Sequence, residues 1–207
     1  MFFWGMFHVK QLTNQILPAK EMLERYMALV LKWQKAVNLV SNKEIDSLWE
    51  RHILDSAQIY FLIPENKRIL IDLGSGGGFP AIVISILNKV LKGPLEKIVL
   101  IESDNKKSVF LQEVSRLLDL NITVLNKRIE QVDEVKADVI TSRALGSVDL
   151  LLSLARSFYT KETLFLLLKG QNVDAEISNV SYTCKYEKLA SKTNESGCIL
   201  KITEVVY

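Results

Sequence analysis

Residues Ile69-Leu70-Ile71-Asp72-Leu73-Gly74-Ser75-Gly76-Gly77-Gly78-Phe79-Pro80 join an apolar β-type run, an acidic residue and a glycine-rich turn. A second apolar run, Ile82 to Leu87, follows at helix length. Strand, tight turn and helix in that order form the first crossover of an open parallel sheet. Ligands of such sheets sit at the carboxyl ends of the strands, where these glycines lie. Gly74, Gly76 and Gly78 let the backbone approach a ligand where a Cβ would collide. The turn reads as the floor of a nucleotide-like pocket.

The spacing narrows the ligand. A dinucleotide fold places Gly-x-Gly-x-x-Gly here, with the third glycine packing helix on strand. This chain has Gly74-x-Gly76-Gly77-Gly78 and then Phe79-Pro80, so the third spacing is wrong, and Pro80 suits a first helical turn. No Gly-Lys-Ser/Thr follows, which excludes a P-loop. An acid just before the glycines resembles the pattern of S-adenosyl-L-methionine (AdoMet) methyltransferases. AdoMet carries no phosphate, and its sulfonium and amino groups are cationic. A carboxylate such as Asp72 suits that end and would repel a pyrophosphate. A glycine turn with no ligand is the plain alternative, disfavoured because three glycines weaken a turn that only connects.

Further acids and bases recur at strand ends. Glu102 closes Ile98-Val99-Leu100-Ile101-Glu102-Ser103, where a carboxylate can accept from both ribose hydroxyls. The alternative is a helix-terminal acid beside Asp104, itself the expected cap of a helix starting at Asn105. Ile129-Glu130 follows the third strand through Asn126-Lys127-Arg128 and would border an adenine, with a backbone N–H and a carboxylate to read the base. A capping acid is again the alternative.

The fourth strand ends Thr141-Ser142-Arg143-Ala144, where the transferred methyl would lie. The Asp/Asn-Pro-Pro-aromatic element of exocyclic-amine methylation is missing. Cys184 and Cys198 fall in an edge hairpin, which disfavours the cysteine nucleophile of carbon-5 pyrimidine methylation. Arg143 remains, able to bind a carboxylate, a phosphate or a base edge, or to form a structural salt bridge. Arg51, His52 and Asp55 share one helical face, and alone read as an ordinary charge pair. Lys106-Lys107 open a helix, where lysines are electrostatically misplaced unless they meet phosphate or solvent. Lys169-Gly170 ends the fifth strand on the ligand side.

The chain has 207 residues, 48% hydrophobic and 24% charged, with net charge +2. That suits one sizeable soluble domain with an appended lobe. The weak net charge argues against a long footprint on naked nucleic acid and for a local patch or a preassembled particle. Two histidines and two dispersed cysteines form no metal pattern, and a disulfide is not expected in a cytosolic enzyme. Met1 to Phe7 is apolar but too short to span a bilayer and lacks a secretory pattern, so no membrane association is expected. Residues 1–15 read as a disordered extension, with Met6 an alternative start.

Residues 17–40 carry a helical apolar face, and Ser41 or Asn42 could cap a second helix over 45–62 that stops near Pro64. Residues 16–64 thus form an N-terminal helical lobe before a domain at 65–207. Strands are predicted at 68–72, 97–102, 121–125, 137–142 and 163–168, and helices at 80–90, 105–119, 147–158 and, shorter, 129–133. Two antiparallel strands, 182–191 and 198–206, close one edge. The sum matches an α/β, Rossmann-like, seven-stranded and mostly parallel sheet of the class I AdoMet-dependent methyltransferase type.

Arg51-His52-Ile53-Leu54-Asp55-Ser56, Asp72-x-Gly74-x-Gly76-x-Gly78-Phe79-Pro80, Lys107-x-x-Phe110-Leu111, Arg128-x-Glu130, Ser142-Arg143-Ala144 and Leu168-Lys169-Gly170 occur in that order. With Lys32-Trp33-x-x-x-x-Asn38-Leu39 they resemble the RsmG (GidB) family over roughly residues 20–204. The glycine loop is generic; the His-Ile-Leu-Asp-Ser and Ser-Arg-Ala blocks are specific. The chain departs from the family pattern at Gly77, at Ala81 and before Cys198, where an arginine is often found. The resemblance implies methylation of N7 of one guanine, guanine 527, in 16S ribosomal RNA, with AdoMet as cofactor and the 16S RNA or small ribosomal subunit as partner. It implies a cytoplasmic enzyme, taken as a monomer without metal. By position it implicates Gly74, Phe79, Ile129, Glu130 and Arg143 at the cofactor, beside Asp72, Gly76 and Glu102, with Arg143 positioning the reactants.

Guanine N7 has an in-plane lone pair and no proton, so alignment rather than a general base is the main requirement. It lies on the major-groove edge, closed off in A-form RNA, so the target should be unpaired. Lys106, Lys107, Arg128 and Arg143, with Arg51 and His52, are the expected RNA-facing rim. The competing readings are a small-molecule or protein methyltransferase, a nicotinamide dehydrogenase, and a non-catalytic RNA-binding assembly protein.

Overall fold

The computed structural model describes residues 2–133 and 135–207, with side chains described from residue 9 onward. Seven strands form one sheet: β1 Ile69–Leu73, β2 Lys97–Ile101, β3 Ile122–Leu125, β4 Val139–Arg143, β5 Leu164–Lys169, β6 Thr183–Ala190 and β7 Cys198–Val206. Their order is β3-β2-β1-β4-β5-β7-β6. All pairs from β3 to β5 are parallel, and β7 runs antiparallel to both β5 and β6. This is the mostly parallel seven-stranded sheet the sequence predicts, with the closing hairpin at one edge.

The central strands read as unbroken apolar runs because both faces are covered. Leu70, Leu100, Val139 and Leu166 face one core with helices α1 (Phe2–Ile16), α2 (Lys20–Gln34), α3 (Asp55–Tyr60), α4 (Ala81–Leu91) and α5 (Asn105–Leu117). Ile71, Val99, Ile140 and Phe165 face the other with α6 (Val148–Ala155) and α7 (Val173–Ser178). The period of two along each strand therefore divides the sheet between two layers of helices.

Three stretches differ from the sequence reading. Residues 1–15 are expected as a disordered extension, but 2–15 belong to helix α1 (Phe2–Ile16), and Leu12 and Ile16, one turn apart, are buried in the first core. The single helix expected over 45–62 is three pieces: a 3-10 segment Asn42–Ser47, a π-helical segment Trp49–Leu54, and α3. The wider π turn accommodates His52, Ile53 and Leu54 all buried, more than one α-helical face would turn inward. Helix α7, only six residues long, has no counterpart among the helices that the sequence predicts. Among the described residues no helix is long and apolar enough to cross a membrane.

Candidate active site

A cavity of about 530 Å³ opens above the carboxyl ends of β1, β2 and β4. Its floor is the glycine turn. The N–H groups of Gly74 and Ser75 both donate to the carbonyl of Ile101, at 3.0 and 3.1 Å, tying the turn to the end of β2. Gly74, Gly76 and Gly78 all have positive φ, at 66°, 55° and 92°. At Gly78 an added Cβ would stand 2.5 Å from Ile82 Cγ1 and 2.9 Å from the Tyr26 hydroxyl, so both space and backbone demand glycine there. At Gly76 the nearest such atom is Gly74 O at 3.8 Å, and only φ argues for glycine.

Glu102 sits one residue beyond β2 and is buried. Its Oε2 accepts from Gly76 N and its Oε1 from Asp104 N, both at 2.7 Å. The carboxylate therefore shapes the turn and still lines the cavity, with a further lone pair on each oxygen. Asp104 caps α5 by accepting from Lys107 N at 3.0 Å, as its sequence position predicts. Asn126 donates to the carbonyls of Glu102 and Ser103, joining the loop after β3 to the same wall. Beyond it lies the 3-10 turn Ile129–Gln131, shorter than the helix expected over 129–133. Ile129 is buried and Glu130 exposed at the cavity edge.

The opposite wall comes from the N-terminal helices. Tyr26, fully buried on α2, donates to the Gly77 carbonyl at 2.6 Å, and burial keeps the phenol protonated by raising its pKa. Its ring lies 5.3 Å from that of Phe79. The His52 ring is 4.7 Å from that of Phe79. His52 is buried, neither ring nitrogen is hydrogen-bonded, and its pKa is pushed down to about 3 by burial and then by Arg143 and Arg51. The approach of Glu44 Oε2 to its Nε2, at 3.5 Å, is therefore contact with a neutral imidazole. Arg143, last residue of β4, lines the cavity beside it. Ala144 then turns the chain at φ 54°, an uncommon conformation for a residue with a Cβ.

Of the residues expected at the cofactor, Gly74, Gly76, Phe79, Glu102, Ile129, Glu130 and Arg143 line this cavity. Asp72 does not. It is buried beneath the turn, where Oδ1 accepts from Thr141 at 2.6 Å and Oδ2 has no partner. Burial pushes its pKa up to about 7, so it is not a fixed anion at neutral pH. Of the residues expected at the RNA-facing rim, His52, Lys107, Arg128 and Arg143 line the cavity. Arg51 and Lys106 are exposed outside it. Lys169 points elsewhere, donating to Gly146 O and Glu176 Oε2 and so bracing the loop before α6. Cys184 and Cys198 are free thiols on β6 and β7, away from the lining.

Several contributors escape sequence reasoning. Leu39, Val40 and Ser41 line the cavity from the loop after α2. Gln34 holds that loop: its Oε1 accepts from Leu39 N and Val40 N, and its Nε2 donates to Val40 O. The Asn38-Leu39-Val40-Ser41-Asn42 break marks a loop in the sequence, but nothing local says that it folds over a turn some forty residues on.

A family model for rRNA small subunit methyltransferase G matches residues 19–199. A ribosomal RNA small subunit methyltransferase G of Rhodospirillum centenum is 40% identical over 192 residues, covering 90% of this chain and 86% of the relative. One from Gluconobacter oxydans is 41% identical over 186 residues, covering 89% and 93%. Among solved structures, a SAM-dependent methyltransferase from Aquifex aeolicus superposes with a TM-score of 0.58 at 14% identity, covering 77% of this chain and 93% of that one. The architecture is thus the class I methyltransferase fold, and the chain belongs to the rRNA small subunit methyltransferase G family.

Proposed function

We propose that this protein transfers a methyl group from AdoMet to N7 of a guanine in 16S ribosomal RNA, guanine 527 by family resemblance. The carrying observation is the cavity itself: a volume in the range of small-molecule sites, floored by positive-φ glycines and walled by Glu102, Ile129-Glu130 and Arg143. The donor set fits AdoMet. The free lone pairs of Glu102 suit ribose hydroxyls, and the 129–130 turn offers a backbone N–H and a carboxylate to an adenine. Arg143, whose buried Nη1 has no acceptor, suits a carboxylate or phosphate oxygen. No phosphate cradle of the P-loop kind is present in the sequence.

When bound, AdoMet supplies an electrophilic methyl on a sulfonium. The chain's own part is to bind, orient and exclude water. Guanine N7 has no proton to remove, and His52, with its pKa near 3, would be a poor base in any case. Glu102 is committed to two backbone donors. Alignment by the glycine turn, Phe79 and Arg143 is therefore the main catalytic device. Lys107 and Arg128 at the edge, with exposed Lys106 next to Lys107 and exposed Arg51 next to His52, supply positive charge for RNA phosphates.

Incubation with labelled AdoMet and small subunits from cells lacking this protein tests the reading. Label should enter 16S RNA, with binding that weakens steeply as salt rises. Label on protein or small molecules only would refute it.

A further inference from the structure

Asp55 opens α3 and is remote in sequence from the three strand ends that form the cavity, yet its carboxylate is divided between two tasks. Oδ1 accepts three hydrogen bonds: from Gln58 Nε2 at 2.7 Å and from the hydroxyls of Ser191 and Thr193 at 2.9 Å each. The last two come from the loop joining β6 to β7, so the far edge of the sheet reaches across to fix this one oxygen. Gln58 reinforces the link by also donating to Ser191 Oγ and accepting from Lys192 N. Oδ2 faces Arg143, 3.9 Å from its Nη1. That separation is beyond hydrogen-bond reach, and Nη1 is buried with no acceptor at all.

We propose that Asp55 is a positioning residue for Arg143. It holds the guanidinium by charge without occupying its donors, and leaves them for an anionic oxygen of a ligand in the cavity. The charged and titratable groups around Arg143 are Asp55, Glu44, Arg51, Tyr26 and the neutral His52. Of these, Asp55 is the carboxylate in ion-pair range of Nη1. An arginine hydrogen-bonded to its partner would have to break that bond to engage a ligand; one held at 3.9 Å does not. Three donors on Oδ1 make the arrangement rigid, because they fix the carboxylate's rotation and so the placement of Oδ2. The anionic oxygen is either the carboxylate of AdoMet or an RNA phosphate, and the inference rests on the methyl-transfer reading above.

Asp55→Asn is the discriminating variant. Its amide oxygen can still accept from Gln58, Ser191 and Thr193, while the charge facing Arg143 is lost. The experiment is a double-mutant cycle of Asp55→Asn with Arg143→Ala, reading kcat, the KM for AdoMet and the KM for small subunits, with unfolding temperature as a control. Each single variant should lose tenfold or more in kcat/KM, and the double variant should lie within about twofold of Arg143→Ala. A rise in the KM for AdoMet assigns the oxygen to the cofactor carboxylate, and a rise for the subunit assigns it to a phosphate. Losses that multiply, or an Asp55→Asn variant with wild-type constants, would overturn the proposal. If Asp55→Asn does not fold, Thr193→Val in the same cycle takes its place and the same two outcomes decide. Should the wild type bind AdoMet and RNA but transfer no methyl, the functional reading fails. The cycle on the two binding constants still decides whether Asp55 acts through Arg143.

Discussion

The hydroxyl of Tyr26 on α2 donates a 2.6 Å hydrogen bond to the carbonyl of Gly77, 51 residues away in the glycine turn. Through this bond the N-terminal helices hold the floor of the site in place. Tyr26→Phe keeps the ring against Phe79 and leaves the buried Gly77 oxygen without its donor. The expected cost is about 1–3 kcal/mol. For a chain of this size each kcal/mol lowers Tm by roughly 2–4 °C. Thermal unfolding and AdoMet titration should both register the change; an unchanged Tm with unchanged affinity would contradict the link.

The glycines of the turn should tolerate substitution unequally. Gly78→Ala meets Ile82 and Tyr26 as well as an unfavourable φ of 92°, whereas Gly76→Ala meets φ 55° and only an ordinary contact with Gly74 O at 3.8 Å. Left-handed backbone alone costs a residue with a Cβ about 1–2 kcal/mol. Gly76→Ala should therefore fold and show mainly weakened cofactor binding. Gly78→Ala should lose clearly more stability, because the overlap adds to the backbone term. Denaturant midpoints rank the two, and equal midpoints would contradict the steric argument.

Two buried titrating groups should oppose each other in acid. His52, held neutral with a pKa near 3, leaves the unfolded chain with the extra proton below about pH 6.5, so its contribution falls as pH is lowered through that window. Asp72 has the opposite sign. The folded state keeps its proton up to about pH 7 while the unfolded state releases it near pH 4, so stability falls as pH rises between them. Each effect is on the order of a few kcal/mol. Asp72→Asn, which retains an acceptor for Thr141, should stabilise the protein above pH 7 and leave the acid limb steeper. His52→Gln should flatten the acid limb. Unfolding curves from pH 4 to 8 check both, and profiles parallel to wild type would refute the assignment.

Local chemistry was the legible part. The strand–turn–helix around Gly74, the Asp104 cap, Glu102 at the end of β2 and Arg143 at the end of β4 each follow from neighbours within a few residues. Asp72 shows the limit: strand alternation says that it is internal, but not that the cavity opens on the other side of the turn. Tyr26 and Leu39 touch the turn directly, and Gln34 holds the loop that carries Leu39, through long-range contacts that no periodicity encodes. The N-terminal apolar run reads as an extension in the sequence, being too short to span a bilayer and without a secretory pattern. Its helix is carried by tertiary burial of Leu12 and Ile16.

The most direct test of the central claim is nucleoside mass spectrometry of 16S RNA methylated by this protein in vitro, with the modified residue mapped by fragment mass. The account predicts one 7-methylguanosine, in an unpaired segment, which disappears with Arg143→Ala. A methyl group on an exocyclic amine, on pyrimidine carbon 5 or on ribose would contradict it.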